Sequence, residues 1–341
     1  MADRKALATA FLNVSGWRNA AVSILAGDAS NRKYFRVRDV PGKPDAVLMD
    51  APKERGEDVE PFLKMSRFLT ESDLSAPRIY AKDTANGFLL IEDLGDDLFS
   101  TLCADAPEQE ATLYRTAVDV LIAIHKTPPP PLETYAPALM ADLGAQAVEW
   151  YALGREGRVS SEQHEALRGA LQDVLDLFAA DFSVTILRDY HAQNLLWLPD
   201  RQNAARVGLL DYQDAMIGHP TYDLVSLLED ARRDVSPKTQ SAVLDYFIAQ
   251  TGADPNLTRS AYNAMGAQRN LRILMVFARL SLHFGKPDYV DLIPRTWAHL
   301  QHNLTHPDLG TLKRIIDDVL PDPTPAHLSE LKEKCGTHPT R

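Results

Sequence analysis

Cysteine is nearly absent from this chain. Cys103 and Cys335 are the two in 341 residues, far apart and without metal-ligand spacing, so neither a disulfide framework nor a zinc site is expected. No apolar run approaches the length of a membrane span, and Met1 to Leu7 holds none long enough for a signal peptide. Positive charge is not in excess: 36 Lys and Arg against 47 Asp and Glu give 36 − 47 = −11, which argues against nucleic acid or an anionic membrane as the main partner. There is no internal repeat. What remains is an ordinary globular composition, 45% hydrophobic and 24% charged, in a chain long enough for a large core and two lobes. The expectation is a monomeric cytoplasmic enzyme acting on a small molecule.

The chain is organised around Ile186-Leu-Arg-Asp189-Tyr-His191-Ala-Gln-Asn194-Leu-Leu-Trp197. An apolar run leads in, a polar cluster follows, and a second apolar run leads out. This pattern reads as two short strands with a charged loop between them. Val207-Gly-Leu-Leu-Asp211-Tyr-Gln213-Asp214 is another short strand ending in a carboxylate, and Gly218-His-Pro220-Thr-Tyr-Asp223-Leu completes the set.

Asp-x4-Asn followed by a strand-terminal Asp suits phosphoryl transfer from ATP. One carboxylate faces the attacking hydroxyl, while an amide oxygen and a second carboxylate hold the magnesium that bridges the phosphates. Asp189 takes the first role, Asn194 and Asp211 the second. A lone Asp-x4-Asn is common by chance; the three signals together, in this order, are not.

These residues resemble the core of the aminoglycoside phosphotransferase and choline kinase family. Leu187-Arg-Asp189 stands where protein kinases have His-Arg-Asp, and Asp211-Tyr-Gln213 where they have Asp-Phe-Gly. The resemblance implies an α+β, protein-kinase-like two-lobed fold. Residues 1–93 would form a nucleotide-binding lobe of antiparallel sheet plus one helix, and residues 94–341 a mainly helical catalytic and substrate lobe. It also implies ATP and Mg2+ as cofactors.

The upstream segments fit that order. Ala21 to Ala26 and Tyr34 to Val37 read as a hairpin around Gly27-Asp-Ala-Ser30-Asn31-Arg32. In a kinase such a hairpin covers the phosphates with backbone N–H groups, so Gly27, Ser30, Asn31 and Arg32 are assigned to the nucleotide. The next strand, Ala46 to Met49, carries the family's phosphate-pairing lysine; here that position falls on Met49 or Asp50. Lys33, Lys43, Lys53, Arg32 and Arg36 all stand open as replacements. Glu57 or Glu60 would be the counterpart of the family's lysine-pairing Glu, just ahead of a helix with Phe62, Met65, Phe68 and Leu69 at helical spacing. Phe88 to Gly95 resembles the hinge, where adenine would meet the backbone of Glu92 and Leu94.

The rest reads as helices. Glu108 to Lys126 ends at four prolines, residues 137–182 hold two helices, and a helix runs from Leu224 to Ala231. Asp223 starts that last one and, in the family, braces the catalytic loop. From Tyr262 to His283 a long helix, with a possible break, sets Arg269, Arg272, Arg279 and His283 on one face. That face either pairs with acidic surface or receives an anionic substrate. The tail after Pro321 reads as peripheral.

Within the family, the motifs around residues 27–32, 49–52, 187–194, 210–214 and 268–272 resemble bacterial kinases that phosphorylate the anomeric hydroxyl of N-acetylmuramate and N-acetylglucosamine in cell-wall recycling. That resemblance implies an amino-sugar substrate met by His191, Gln193, Gln213 and Asp214, with Arg269 and Arg272 toward a carboxylate. Two alternatives stay open: another hydroxylated acceptor, or a pseudokinase that binds without turnover.

Overall fold

The computed structural model describes residues 4–27, 31–152 and 160–338. The chain divides into two compact units, residues 1–124 with 192–215 and residues 125–191 with 216–341.

The first unit is built on a five-stranded antiparallel sheet in the order β1-β2-β3-β5-β4. Its strands are β1 (Ala21–Gly27), β2 (Lys33–Arg38), β3 (Ala46–Asp50), β4 (Ile79–Asp83) and β5 (Phe88–Glu92). The period-two alternation gives the sheet two distinct faces. On one, Val37, Ala46, Leu48, Phe88 and Leu90 are buried with Phe11, Leu12 and Trp17; Phe11, from α1 (Arg4–Val14), stacks on Phe88 at 5.8 Å. Asp50 shares that face and is ion-paired with Arg4 of α1. The other face carries Tyr34 and Arg36 on β2, and Met49 directly across from Tyr34 on β3. The helix α2 (Glu60–Glu71) buries Phe62, Leu63, Met65, Phe68 and Leu69, the stripe its spacing predicts. Two more helices, α3 (Phe99–Asp105) and α4 (Glu110–Lys126), follow. The strands β7 (Leu195–Trp197) and β8 (Val207–Leu209) pair with one another and are tied to earlier chain, Trp197 N–H donating to Asp97 O and Leu209 N–H to Ser75 O.

The second unit is mainly helical. Its axis is α9 (Pro255–Leu282), an unbroken 28-residue helix. The sequence reading started this helix late, at Tyr262. The start signal is Asp254, whose carboxylate caps the N–H groups of Asn256 and Leu257, with Pro255 in the first turn. Around α9 pack α5 (Pro137–Trp150), α6 (Ser161–Phe178), α7 (Tyr222–Leu228) and α10 (Ile293–Asn303). The helix α7 is shorter than expected, ending at Leu228, and α8 (Pro237–Thr251) follows it. A small ladder joins β6 (Val184–Ile186) to β9 (Met216–Gly218), so the strands flanking the charged loop find different partners rather than each other.

The tail is not peripheral, contrary to expectation. Before Pro321, α11 (Gly310–Val319) packs on α6; after it, α12 (Pro325–Glu333), the helix of that tail, packs on α9. Tyr151 Oη donates to Pro321 O at 2.8 Å, His327 meets the Tyr151 ring edge-on, and Ser281 Oγ donates to Leu331 O. Leu312, Ile316 and Leu331 are fully buried, each contributing about 1.5–3 kcal/mol of apolar burial. Prolines and charges on the outward side hid this inward stripe. Among the described residues no helix is long and apolar enough to cross a membrane.

Candidate active site

The charged loop passes from one unit to the other between His191 and Ala192. Asp189 and His191 therefore belong to the second unit, and Asn194, Asp211, Gln213 and Asp214 to the first.

In the second unit, β6 delivers the chain to Leu187 and Arg188, whose N–H groups both donate to the Asp223 carboxylate, at 2.6 and 2.9 Å. Arg188 has φ +71°. Positive φ at a residue that is neither Gly, Asn nor Asp costs free energy and persists only where the surroundings enforce it. Those surroundings are Asp223, fully buried at the start of α7, and Ser226 one turn later, whose Oγ donates to Arg188 O. Behind Ser226 stands Arg269 of α9, which donates to Ser226 Oγ at 2.7 Å. Burial pushes the Asp223 carboxyl up to about 7, against the two N–H donors and the Arg269 charge that hold it down. The Arg188 guanidinium lies over the Tyr135 ring at 5.4 Å.

Arg272, one turn beyond Arg269, lies in the fields of Tyr222, Tyr135 and Asp189. Burial opposes its charge, but Tyr222, Tyr135 and Asp189 together raise its pKa. The arginine face of α9 is thus not a solvated one; Arg269 is 5% exposed. Arg279 is half-buried, and His283 bonds to the His338 carbonyl, away from the loop. His191 is buried, and burial drives its pKa down to about 4 despite the nearby Asp230 carboxylate. Its Nε2 lies 3.4 Å from Arg232 Nη1.

In the first unit, the β7–β8 pairing sets Asn194 beside Leu210, whose N–H donates to Asn194 O. Asp211 follows with φ +55°. The Gln213 amide donates to Asp211 Oδ1 at 2.8 Å and to Asp214 Oδ2 at 3.3 Å, bringing two carboxylates under one amide. Tyr212 points the other way. Its ring is buried on Phe62 at 4.9 Å, and its hydroxyl donates to Ser66 Oγ, which itself donates to Phe62 O. The aspartate segment is thereby anchored to α2. Amide and carboxylate oxygens suit a hard cation such as Mg2+, which takes one or two protein ligands and completes its octahedron with phosphate and water. Among the described residues no cluster of three His, Cys, Asp or Glu forms a protein-only metal cage.

Of the nucleotide residues, Gly27 ends β1, and Ser30 lies outside the described residues. Asn31 N–H donates to Glu57 Oε1 at 3.0 Å, and Arg32 Nε to Glu57 Oε2 at 2.7 Å. At the hinge, Glu92 N–H is spent on Arg78 O, and its side chain is ion-paired with Arg201 at 2.6 Å. Gln193 is exposed.

Sequence reasoning missed Ser226, Tyr222, Asp230 and Arg232. Ser226 could have been found, since it sits three residues after Asp223 and so shares its helix face. Nothing in the sequence pointed to Arg232 beside His191.

Residues 21–261 match the model of the phosphotransferase enzyme family. The chain is 37% identical to an N-acetylmuramate/N-acetylglucosamine kinase of Caulobacter vibrioides, over 94% of this chain and 97% of that one. Among solved structures, an aminoglycoside phosphotransferase in ternary complex with streptomycin and ATP superposes with a TM-score of 0.58 at 15% identity, covering 82% of this chain and 95% of the other. A choline kinase from Streptococcus pneumoniae gives 0.55 at 15% identity, covering 87% and 98%.

Proposed function

Since this chain belongs to the phosphotransferase enzyme family and is an ATP-dependent kinase acting on a hydroxyl group, we propose that its acceptors are N-acetylmuramate and N-acetylglucosamine, phosphorylated at the anomeric hydroxyl. The sugar 1-phosphates would feed peptidoglycan recycling in the cytoplasm, and the enzyme would act as a monomer. The observation that carries the acceptor is the near full-length likeness to the Caulobacter kinase named for those two sugars.

Asp189 orients the acceptor hydroxyl and takes its proton late in an in-line transfer. Asn194 and Asp211 hold Mg2+, which neutralises the phosphate charge when bound. Asn31, Arg32 and the strand end at Gly27 meet the phosphates, and the Glu92 and Leu94 backbone the adenine. His191, uncharged at neutral pH, serves sugar hydroxyls as a neutral donor or acceptor. Gln193, Gln213 and Asp214 supply further hydrogen bonds. The lactyl carboxylate of N-acetylmuramate is assigned to Arg272, with Arg269 bracing the loop behind it.

The test is ATP consumption with Mg2+ against N-acetylmuramate, N-acetylglucosamine, glucose, choline and kanamycin, with products identified by phosphorus NMR. Sugar 1-phosphates from the two amino sugars are expected. Turnover on choline or kanamycin with none on the amino sugars would discard the acceptor.

A further inference from the structure

Of the two positions open for the family's phosphate-pairing lysine, Met49 is 1% exposed and faces the same side of the sheet as Tyr34 and Arg36. Asp50, the other candidate position, points to the opposite face and is paired with Arg4. The structure separates the five cations that could replace the lysine. Lys43 lies over the Trp17 ring at 4.4 Å. Arg36 is committed to the hinge acids, donating to Asp96 Oδ2 at 2.9 Å, Asp96 Oδ1 at 2.7 Å and Asp93 Oδ1 at 3.1 Å. Lys33 is two residues before Phe35 and four before Val37, so it points toward the α1 face. Lys53 is exposed in the turn after β3.

Arg32 differs from all four. It immediately precedes β2, two residues before Tyr34 of the Met49 face. Its side chain is only 14% exposed. Glu57, three residues ahead of α2, takes its Nε–H at 2.7 Å, and the Tyr34 hydroxyl is a further partner. The same carboxylate takes the Asn31 N–H on its other oxygen. Burial opposes the Arg32 charge, yet Tyr34 and Glu57 raise its pKa above the ordinary arginine value.

We propose that Arg32, oriented by Glu57, is the cation that receives the nucleotide phosphates, the lysine of the middle strand having been exchanged for an arginine on its neighbour. Arginine presents five donors in a fixed fork suited to phosphate oxygens. A guanidinium oriented by a carboxylate before the nucleotide arrives loses less freedom on binding it. Because Glu57 also holds the Asn31 N–H, it orients Arg32 and its neighbour Asn31 together. Glu57 is accordingly a positioning residue, and Glu60 is not the counterpart of the family's acid. This inference rests on the kinase reading above, but not on the identity of the sugar.

The experiment is calorimetric titration of the full-length protein with Mg·ATP, Mg·ADP and adenosine, for wild type, Arg32→Ala, Arg32→Lys, Glu57→Gln and the rival changes Lys33→Ala and Lys53→Ala. Loss of a charge-assisted phosphate contact weakens binding about 10- to 100-fold. Arg32→Ala is expected to lose that much for ATP and ADP while holding adenosine within about twofold. Arg32→Lys should recover part of the loss, and Glu57→Gln should show a smaller loss of the same pattern. Lys33→Ala and Lys53→Ala should bind all three ligands as wild type does. If Arg32→Ala binds ATP like wild type, or loses ATP and adenosine in equal measure, the assignment is wrong; so too if Lys33→Ala or Lys53→Ala carries the phosphate-specific loss. A wild type that binds ATP but leaves amino sugars untouched defeats the proposed acceptor and spares the role of Arg32. Amino-sugar turnover with ATP binding indifferent to Arg32 does the reverse.

Discussion

Asp223 accepts the backbone N–H of Arg188 at 2.9 Å across 35 positions of sequence, at a residue whose φ is +71°. A buried carboxylate thus holds the strained backbone one residue before Asp189. Ser226 and Arg269 extend the brace to α9.

Asp223→Asn keeps the shape but sets an amide N–H2 where an N–H acceptor is required. It should lower kcat about 10- to 100-fold and cost about 2–3 kcal/mol of stability, the worth of one hydrogen bond to a charged group; steady-state kinetics and calorimetric unfolding measure the two. Wild-type turnover should fall as pH drops below about 7, where Asp223 gains its proton. In stability the sign is opposite. A carboxyl whose pKa rises from 3.8 to about 7 on folding favours the folded state at low pH, and that contribution fades as pH climbs through the window. The low-pH limb of activity should be missing in Asp223→Asn.

Asp189→Ala removes the carboxylate proposed as the proton acceptor, and with it part of the field that supports the Arg272 charge. Turnover should fall about 100- to 10,000-fold, the usual worth of a positioned general base. Melting temperature and ATP affinity should stay close to wild type, because Asp189 is only half-buried and its N–H bond to Leu187 O belongs to the backbone. Near-native rates in this variant would remove Asp189 from the mechanism.

A chelator should abolish turnover, and added Mg2+ should restore it. Asp211→Asn should raise the Mg2+ concentration for half-maximal rate by about tenfold, roughly one charge-assisted contact. Gln213→Ala, which removes the amide shared by Asp211 and Asp214, should move it in the same direction by less. Magnesium titrations of initial rate decide both.

His125, His191 and His219 all belong to the second unit, and burial lowers each pKa from 6.5 to about 4. The unfolded chain therefore takes up these protons first. The stability they contribute is fully present above pH 6.5 and is lost as pH falls toward 4, by a few kcal/mol each at most, on the scale of 1.36 kcal/mol per pKa unit. Melting temperature should drop steeply across that window. His191→Gln, which cannot titrate, should flatten part of the slope.

Much of this was legible in order and type. The hairpin at 21–38, the α2 stripe and the strand-terminal Asp211 follow from period-two and period-3.6 patterns that any burial must respect. The start of α9 was missed although Asp254-Pro255 announces it, because the apolar pattern there is weak. The tail after Pro321 was misread because its buried residues, His327 and Leu331, are sparse among prolines and charges. The use made of each arginine was not legible at all. Arg32, Arg36 and Arg269 are alike in sequence, and their partners lie 25, 57 to 60 and 43 positions away, at Glu57, Asp93 with Asp96, and Ser226.

Local sequence alone determined which residue types stand where chain turns follow short strands: Asp189, Asn194 and Asp211, each next to an apolar run. It determined the alternation that sends Met49 and Asp50 to opposite faces. Only the tertiary structure decided which acids Arg32 and Arg36 meet and which residues hold Arg188 at positive φ. Those choices depend on distant carboxylates arriving within hydrogen-bond reach, and an ion pair made across dozens of residues leaves no periodicity in the chain to read.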